Sequence, residues 1–268
     1  MNNQSPKGNR IAKVLSRAGI ASRREAEKII LAGRVKVNGE VLISPAFNVL
    51  DSDIILLDGN PIAEPDEERL WCFHKPADSI TTAKDDKNRK TIYEYFPSNL
   101  PRVMPVGRLD LNSEGLLLLT NSGELKRKLE LPGSELSRIY RVRVKGRPKE
   151  VNLELLRSGI SIDKESFKPM KVSVDRQQGA NAWLTIELKE GKNREIRRAM
   201  DALGMQVNRL IRIEYGPFKL GNLKRGEVVE INNKSIRRSL KTINIDVTKA
   251  NNKKRSQNKY SQVLGKVH

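Results

Sequence analysis

The stretch that decides the fold reads Gly107-Arg108-Leu109-Asp110-Leu111-Asn112-Ser113-Glu114-Gly115-Leu116-Leu117-Leu118-Leu119-Thr120. It places one carboxylate, that of Asp110, between a turn and a hydrophobic run. The two glycines at its ends permit tight backbone paths on either side. The four leucines form a short continuous apolar run, which predicts a strand covered on both faces. We therefore expect Asp110 to lie close to a core, where a fold can expose a catalytic acid; a local ion pair with Arg108 is the alternative.

The composition indicates a polyanionic partner. The 268 residues include 51 Lys and Arg but only 32 Asp and Glu, so the formal net charge is +19. The length is sufficient for a sizeable core and for two domains. With a single cysteine, Cys72, no intrachain disulfide can form, and with only two histidines no zinc site of the usual Cys/His kind can be assembled.

The sequence predicts a soluble, cytoplasmic protein. No stretch reaches the roughly 18 consecutive apolar residues that span a bilayer, and the polar start lacks the apolar core of a secretory signal. An organelle transit peptide over residues 11–30 is the alternative, because that segment is amphipathic and rich in arginine. Against it, the segment leads directly into Val35-Lys36-Val37-Asn38-Gly39-Glu40-Val41, a hairpin pattern with an Asn-Gly turn.

The first part of the chain predicts two helices and a hairpin. The first helix is expected over residues 11–18, and the second begins after Ser22 as N-cap and is closed by Gly33. Residues 7–36 contain nine basic and only two acidic side chains. A solvated helix surface is one interpretation of this surplus, and contact with nucleic-acid phosphates is the other.

Residues 10–58 resemble the RNA-binding module named after the fourth small-subunit ribosomal protein. The resemblance rests on Arg17-Ala18-Gly19-Ile20-Ala21-Ser22-Arg23-Arg24-Glu25-Ala26, Gly33-Arg34-Val35 and Val37-Asn38-Gly39. It implies a grip on structured RNA without base chemistry. The expected RNA-binding residues are Lys13, Arg17, Arg23, Arg24, Lys28, Arg34 and Lys36.

The rest of the chain predicts a larger second domain. A polar linker near residue 65 separates a module over residues 8–64 from a domain over residues 68–231. Strand patterns in the second domain outnumber helix patterns, and several follow one another directly. We therefore expect an α+β protein, with a small helix–helix–hairpin module followed by a mixed, mainly antiparallel sheet on which helices pack.

Residues 232–268 predict a basic, disordered tail. They carry ten Lys and Arg against one acid, Asp246, and contain few large apolar side chains. The tail either follows RNA or only improves solubility, and the composition does not separate these two interpretations.

The second chemical cluster is Gly191-Lys192-Asn193-Arg194-Glu195-Ile196-Arg197-Arg198, followed by Val207-Asn208-Arg209-Leu210-Ile211-Arg212-Ile213. On a helix that begins near Asn193, the three arginines Arg194, Arg197 and Arg198 would share one face, which would either bind phosphate or carry salt bridges. Together with the stretch around Asp110 and with Arg138-Ile139-Tyr140-Arg141-Val142, this set resembles the pseudouridine synthases, in the branch that contains the small-subunit enzyme RsuA and the large-subunit synthase B. The resemblance covers residues 10–231.

The resemblance implies roles for three residues. Asp110 matches the family's essential aspartate, which attacks the anomeric carbon of the ribose or abstracts its 2′ proton. Either route needs an ionised carboxylate and so a nearby cation, and Arg197 matches the basic residue in that role. Related branches read Gly-Arg-x-His-Gln-x-Arg at this motif, so Arg194 and Arg198 remain competing candidates. Tyr140 matches the tyrosine that stacks on the target base and can handle a proton; packing within a strand is the alternative.

Further residues are expected to bind the substrate. Leu210 matches the apolar wall of the pocket, although a core leucine is an equally good interpretation. Arg108 is a candidate either for the gap left by a flipped uridine or for phosphate contact. The chemistry demands no metal, redox cofactor or nucleotide, because the reaction breaks and remakes a bond within one nucleotide.

The function predicted from the sequence is site-specific conversion of uridine to pseudouridine in ribosomal RNA. The wording around Arg194 and the ending Tyr215-Gly216-Pro217-Phe218 resemble the large-subunit (23S) enzymes more than the small-subunit (16S) ones. The expected partner is ribosomal RNA or a pre-ribosomal particle, and a monomer is expected. A non-catalytic ribosome-assembly factor is the alternative from another class, but a binder has no need of an acid facing phosphate.

Overall fold

A computed structural model describes residues 8–83 and 85–243. The chain forms two compact units, and the boundary in the sequence lies between Glu68 and Arg69. The last part of the predicted tail, residues 244–268, lies outside the described residues.

Both units contain helices and strands, and several strands follow one another directly. The helices are α1 (Ile11–Arg17), α2 (Arg23–Leu31), α3 (Gly123–Glu130), α4 (Glu150–Ser158), α5 (Glu195–Ala202) and α6 (Asn233–Lys241). The strands are β1 (Asn9–Arg10), β2 (Val35–Val37), β3 (Glu40–Leu42), β4 (Asn48–Val49), β5 (Ile55–Leu57), β6 (Asn60–Pro61), β7 (Leu70–Lys75), β8 (Met104–Val106), β9 (Glu114–Thr120), β10 (Arg138–Lys145), β11 (Ile160–Ile162), β12 (Glu165–Phe167), β13 (Lys171–Gln178), β14 (Asn181–Leu188), β15 (Gln206–Tyr215), β16 (Phe218–Lys219) and β17 (Val228–Ile231). Two 3-10 turns lie at Ile92–Tyr95 and Pro132–Ser134.

The first unit has the predicted helix–helix–hairpin order. The Ser22 hydroxyl caps α2 by accepting from the backbone N–H of Glu25 at 3.2 Å. Asn38 and Gly39 both adopt positive φ, 52° and 93°, which gives the tight turn between β2 and β3. Strand order in its sheet is β3-β2-β5-β6. The buried core of this unit contains side chains from both helices and from the sheet, including Ile30 and Val35.

The second unit is built on a mixed sheet. Along its main path the described strands are ordered β13-β14-β10-β15-β9-β7-β17, with β8 added beside β9 and β16 beside β15. The pairing of β9 with β15 is parallel, and the other pairings are antiparallel. The predicted mainly antiparallel α+β fold is therefore confirmed. All of β9 is buried, as its run of leucines indicates.

Three apolar cores pack on this sheet, and one of them contains Leu109 with Leu117 and Leu119 of β9. In the second, α4 and α5 cover alternate residues of β10 and β14, such as Val142 and Leu184. In the third, α3 and α6 cover Leu116 and Leu118 of β9. The strand β9 lies beside β15 at the centre of the sheet, with β13, β14 and β10 on one side of this pair and β7 and β17 on the other. The loop that precedes β9 therefore also lies near the centre of the sheet.

The start of the predicted disordered tail forms a helix, α6. Instead of beginning a disordered segment, Asn232 caps helix α6 by accepting from the N–H of Ser235 at 2.8 Å. Ile236 and Leu240 lie on one face of α6, four residues apart, and both are buried in the core around α3. The average composition of the segment is polar, but these two side chains are enough to fix a helix. The prediction of disorder from residue 232 is therefore wrong over Asn233–Lys241.

Candidate active site

Asp110 lies on the loop between β8 and β9. The chain turns at Gly107, whose φ is +69°, and the Gly107 N–H donates to Glu130 at 2.6 Å. The N–H of Ser113 donates to the Asp110 carbonyl at 3.0 Å and closes the next turn. Leu109 points into the core, so its neighbour Asp110 is held at the surface of that core with a half-buried carboxylate.

Lys75 stabilises this loop by hydrogen bonds to its backbone carbonyls. Its ammonium is fully buried and donates to the carbonyls of Pro76 at 2.9 Å, Leu111 at 3.3 Å and Ser113 at 2.9 Å. Burial lowers the pKa of Lys75 to about 8, and the negative charge of Asp110 acts against that shift. The sequence analysis missed Lys75. The available signal was a lysine at the last position of a buried strand, where a charge needs partners.

A cavity of about 310 Å³ opens beside Asp110. Five of the residues predicted from the sequence line it: Arg108, Asp110, Tyr140, Arg194 and Leu210. Further lining residues that the sequence analysis did not select are Glu130, Arg138, Lys192, Glu195, Arg212 and Tyr215. The volume is at the lower end of the roughly 300–1,000 Å³ typical of small-ligand pockets, so one nucleotide is a suitable occupant.

An aromatic and an aliphatic side chain form the apolar part of the cavity. Tyr140 on β10 pairs with Arg212 on β15, and two positions further along the same strands Val142 pairs with Leu210. Leu210 is buried in the core beneath α5, and Tyr140 packs against both that core and the one containing Leu109. Both residues therefore belong to the core and to the cavity wall at once.

The three arginines of the second cluster do not share a face, which corrects the prediction. Helix α5 begins at Glu195, and Arg194 precedes it in a left-handed conformation with φ 49° and ψ 31°. Arg194 Nη1 lies 4.0 Å from the Asp110 carboxylate. Arg198 instead pairs with Glu165 and lies over the Phe167 ring at 4.9 Å, away from the cavity. The left-handed residue rotates Arg194 off the helix surface, and sequence spacing alone cannot show this.

Arg197 holds the loop that carries Asp110. It donates to the carbonyls of Asn112 at 2.8 Å and Val207 at 3.1 Å. Burial lowers the pKa of Arg197, as does the positive charge of Arg194, while the charge of Asp110 raises it. The Asp110 charge therefore acts on Arg197 at longer range, whereas the ion pair within 4.0 Å is made by Arg194. The predicted counter-charge role of Arg197 remains a prediction.

The far end of the cavity contains two more arginines. The guanidinium carbons of Arg138 and Arg212 each lie 5.0 Å from the centre of the Tyr215 ring. Tyr215 donates its hydroxyl to the Leu129 carbonyl at 2.9 Å. Arg212 is almost fully buried and donates through Nε to the Leu116 carbonyl at 2.8 Å. The lining of the cavity therefore combines three acids, Asp110, Glu130 and Glu195, with five basic side chains, Arg108, Arg138, Lys192, Arg194 and Arg212. The excess of positive charge suits an anionic ligand.

The first unit exposes most of the basic side chains expected to bind RNA. Those exposed are Arg17, Arg23, Arg24, Lys28, Arg34 and Lys36, while Lys13 is half-buried. Arg34 differs from the others, because it makes a two-bond ion pair with Asp58 at 2.9 and 2.6 Å. Arg23 and Arg24 occupy the first turn of α2, where free backbone N–H groups add to their attraction for anions.

In residues 8–83 and 85–243, no group of three or more His, Cys, Asp or Glu side chains is arranged to hold a metal ion. In the same residues, no helix is long and apolar enough to cross a bilayer.

An acid in a nucleotide-sized cavity with an excess of basic residues, together with a small basic unit in the same chain, fits the class of RNA-modifying enzymes. Comparison with known proteins gives the family. The model of the RNA pseudouridylate synthase family matches residues 69–202, and that of the S4 domain matches residues 9–55. The chain belongs to the RNA pseudouridylate synthase family, and it carries an S4 domain.

Individual relatives agree with this assignment. An uncharacterised RNA pseudouridine synthase of Rickettsia prowazekii is 48% identical over 86% of this chain and 97% of its own length. The ribosomal large subunit pseudouridine synthase B of Bacillus subtilis is 37% identical over 85% of this chain and 94% of its own. A crystal structure of a pseudouridylate synthase covers 87% of this chain and all of its own with a TM-score of 0.60 at 26% identity. The activity is therefore isomerisation of uridine to pseudouridine in RNA.

Proposed function

We propose that this enzyme modifies a specific uridine of large-subunit (23S) ribosomal RNA and that Asp110 carries the reaction. The observation that supports it most is the position of Asp110, which lies in one cavity with Tyr140 and Leu210 and 4.0 Å from the Arg194 guanidinium. Relatives from Bacillus subtilis and Yersinia pestis are named ribosomal large subunit pseudouridine synthase B, at 37% and 34% identity. The S4 domain supplies the grip on structured RNA.

The reaction exchanges one bond for another within a nucleotide. The bond between N1 of uracil and C1′ of ribose breaks, the base turns, and C5 bonds to C1′; C5 then loses its proton and N1 gains one. Asp110 acts either by bonding to C1′ or by taking the 2′ proton, and both routes require the carboxylate form. The Arg194 guanidinium, at 4.0 Å, is an ion-pair partner for that carboxylate.

The other residues of the cavity hold the base. The flat ring of Tyr140 stacks on uracil, and Leu210 forms an apolar wall behind it. Arg108 is exposed at the mouth of the cavity, where its guanidinium can fill the space left by a flipped nucleotide or contact a phosphate. The base would therefore lie between Asp110 and the apolar wall formed by Leu210.

The test maps pseudouridine in ribosomal RNA from cells that lack the gene and from the same cells that express either wild type or Asp110→Asn. We expect a site in large-subunit RNA to be restored by wild type and not by the variant, since the amide cannot act as nucleophile or base. A restored site in small-subunit RNA would replace the proposed target. Restoration by Asp110→Asn would remove Asp110 from the mechanism.

A further inference from the structure

A second acid, Glu195, lies in the same cavity as Asp110 and is not used in the reaction above. It is the first residue of α5, its side chain is almost fully buried, and it lines the cavity together with Arg194. Burial of a carboxylate is costly unless donors satisfy both of its oxygens. The contacts of Glu195 show how this cost is avoided.

Only one oxygen of Glu195 receives a hydrogen bond from a donor of the described chain. Oε2 accepts from the backbone N–H of Lys192 at 3.0 Å. Oε1 is buried without such a donor, and the Glu190 carboxylate is close enough to act on the Glu195 side chain. Two neighbouring carboxylates repel each other when both are ionised, so a proton on one of them would stabilise the pair.

The contacts of the two acids indicate which of them carries the proton. Glu190 accepts from the backbone N–H of Lys168 at 2.6 Å and lies 3.5 Å from the Lys192 ammonium, so it has the partners of an ion. Glu195 has one backbone donor and deeper burial. Burial, and next the adjacent Glu190 carboxylate, raise the pKa of Glu195 to about 8.

The protonated carboxyl closes the turn that presents Arg194. The Lys192 N–H donates to the Glu195 side chain, and the Glu195 N–H donates back to the Lys192 carbonyl at 3.4 Å. Between these two bonds lies Arg194 in its left-handed conformation, which a non-glycine residue adopts only when its surroundings enforce it. We propose that Glu195, kept protonated against Glu190, is a positioning residue that holds this turn so that Arg194 faces Asp110. The proposal rests on the roles proposed above for Asp110 and Arg194.

Ionisation of Glu195 would disturb this arrangement in two ways. It would place a second negative charge against Glu190 and loosen the turn, and it would compete with Asp110 for Arg194. The charged groups on the surrounding elements are the acids Asp110 and Glu130 and the bases Arg108, Arg138, Lys168, Lys192, Arg194 and Arg212. Among them only Lys192 offsets the effect of Glu190 on Glu195, and its influence is the smaller one.

The test compares wild type with Glu195→Gln, whose amide keeps both hydrogen bonds but cannot ionise. The single-turnover rate on a saturating RNA substrate is measured at pH 7 and pH 9. The proposal requires that only protonated Glu195 positions Arg194. Because the pKa of Glu195 is about 8, its protonated fraction in wild type at pH 9 is about a tenth of that at pH 7. The ratio of the pH 9 rate to the pH 7 rate should therefore rise about tenfold in Glu195→Gln. Other titrating groups, including Lys75, are present in both proteins and cancel in this comparison.

Glu130→Gln is the matched control, because it removes a carboxylate from the same cavity that contacts Gly107 and Lys126 instead of Glu190. Its rate ratio should equal that of wild type. An unchanged ratio in Glu195→Gln, or a ratio raised equally in both variants, overturns the proposal.

An infrared titration of the enzyme without RNA gives an independent readout. A protonated-carboxyl band should disappear in wild type as the pH passes about 8 and should be absent from Glu195→Gln; its absence from wild type at pH 7 also overturns the proposal. Because this titration involves no substrate, it decides on the acid pair even if the proposed ribosomal target is wrong.

Discussion

At the scale of single residues, the three clustered arginines have separate tasks. Arg194 is the ion-pair partner of Asp110, Arg197 binds two backbone carbonyls, and Arg198 pairs with Glu165. We therefore expect Arg194→Met to lower the single-turnover rate at least about tenfold, or about 1.4 kcal/mol, with little effect on the free energy of unfolding. Arg197→Met should lower both, with a stability loss of about 2–4 kcal/mol for two hydrogen bonds from a charged group.

Arg198→Met is the control for these two variants. Its ion pair is partly exposed, so its removal should cost under about 1 kcal/mol of stability and leave the rate nearly unchanged. Rates and urea unfolding of the three variants separate the tasks. If only Arg197→Met lowers the rate, and does so without a loss of stability, Arg197 is the counter-charge of Asp110 and Arg194 has no role in the reaction.

The acid pair makes stability depend on pH independently of catalysis. The pKa of Glu195 rises from an ordinary value of 4.5 to about 8 in the folded protein. Between these values the unfolded chain is ionised at Glu195 while the folded protein keeps the proton, so stability falls as the pH rises. The slope reaches about 1.4 kcal/mol per pH unit. Urea unfolding at pH 5.5 and 7.5 should show this loss in wild type relative to Glu195→Gln, and equal losses in the two proteins would contradict a proton on Glu195.

Sequence reasoning selected residues that line one cavity, but it did not predict the electrostatics of that cavity. The order Gly-Arg-Leu-Asp before a buried strand pointed to Asp110 and the family resemblance gave it a role, whereas Tyr140 was selected by the resemblance alone. Lys75 and Glu195 were missed, because their altered pKa values arise first from burial, which the local sequence does not show. The division of tasks among the arginines was missed because it depends on one left-handed residue, Arg194.

At the scale of elements, the pairing of β9 with β15 fixes the Asp110 loop and depends on Gly115. This residue has φ +103°, and a Cβ there would lie 2.2 Å from the Arg212 carbonyl oxygen and 2.7 Å from its nitrogen. Gly115→Ala must therefore push the two strands apart, and we expect it to cost about 3 kcal/mol or more of stability. Gly107→Ala is the matched control: φ there is +69° but no atom lies within 4 Å, so only the conformational cost of about 1–2 kcal/mol applies. Equal losses in urea unfolding would show that β15 yields easily.

Helix α6 should stabilise the catalytic unit although its composition is polar. Two truncated proteins test this, one ending at Ile243 and one ending at Ile231. The second lacks Ile236 and Leu240, whose full burial contributes about 1.5–3 kcal/mol each, less the cost of ordering the helix. We expect it to lose about 2–5 kcal/mol relative to the first in urea unfolding. Similar stabilities would mean that the core around α3 closes without α6.

The elements with a clear local pattern were predicted. The run of leucines indicated β9, and the Asn-Gly turn indicated the hairpin of β2 and β3, although these two strands have only three residues each. The short strands β8, β11 and β12 have too few residues to show a period, and β17 exists because it pairs with β7. In α6 the two buried residues, Ile236 and Leu240, are surrounded in the sequence by lysines and arginines, so their spacing gives a weak helix signal. The central strand β9 could therefore be predicted from its local sequence, whereas the edge strand β17 depends on its pairing with β7.

At the scale of the whole molecule, chemistry and RNA binding fall in different compact units. The cavity is lined by residues between 107 and 215, whereas the basic helices α1 and α2 belong to a unit with its own buried core. Phosphate contacts set affinity and register but supply no chemistry. Two of the exposed basic side chains of that unit make ion pairs within it: Arg34 pairs with Asp58 and Lys28 with Glu25.

Deleting residues 1–63 should therefore weaken binding to structured ribosomal RNA and reduce its dependence on salt, while slow turnover of a short RNA at high concentration remains. Each lost phosphate contact should reduce the slope of log affinity against log salt by about 0.7 for single-stranded RNA and about 0.9 for a duplex, for which the value of B-DNA is a substitute. In the full chain, Arg23→Gln/Arg24→Gln should reduce the slope by up to two contacts, and Arg34→Gln by less because Asp58 already holds that guanidinium. Affinities measured over a salt series give the slopes. An unchanged slope after the deletion would mean that α1 and α2 face solvent or another protein during the reaction, and the charge of the second unit would then have to account for the whole affinity for RNA.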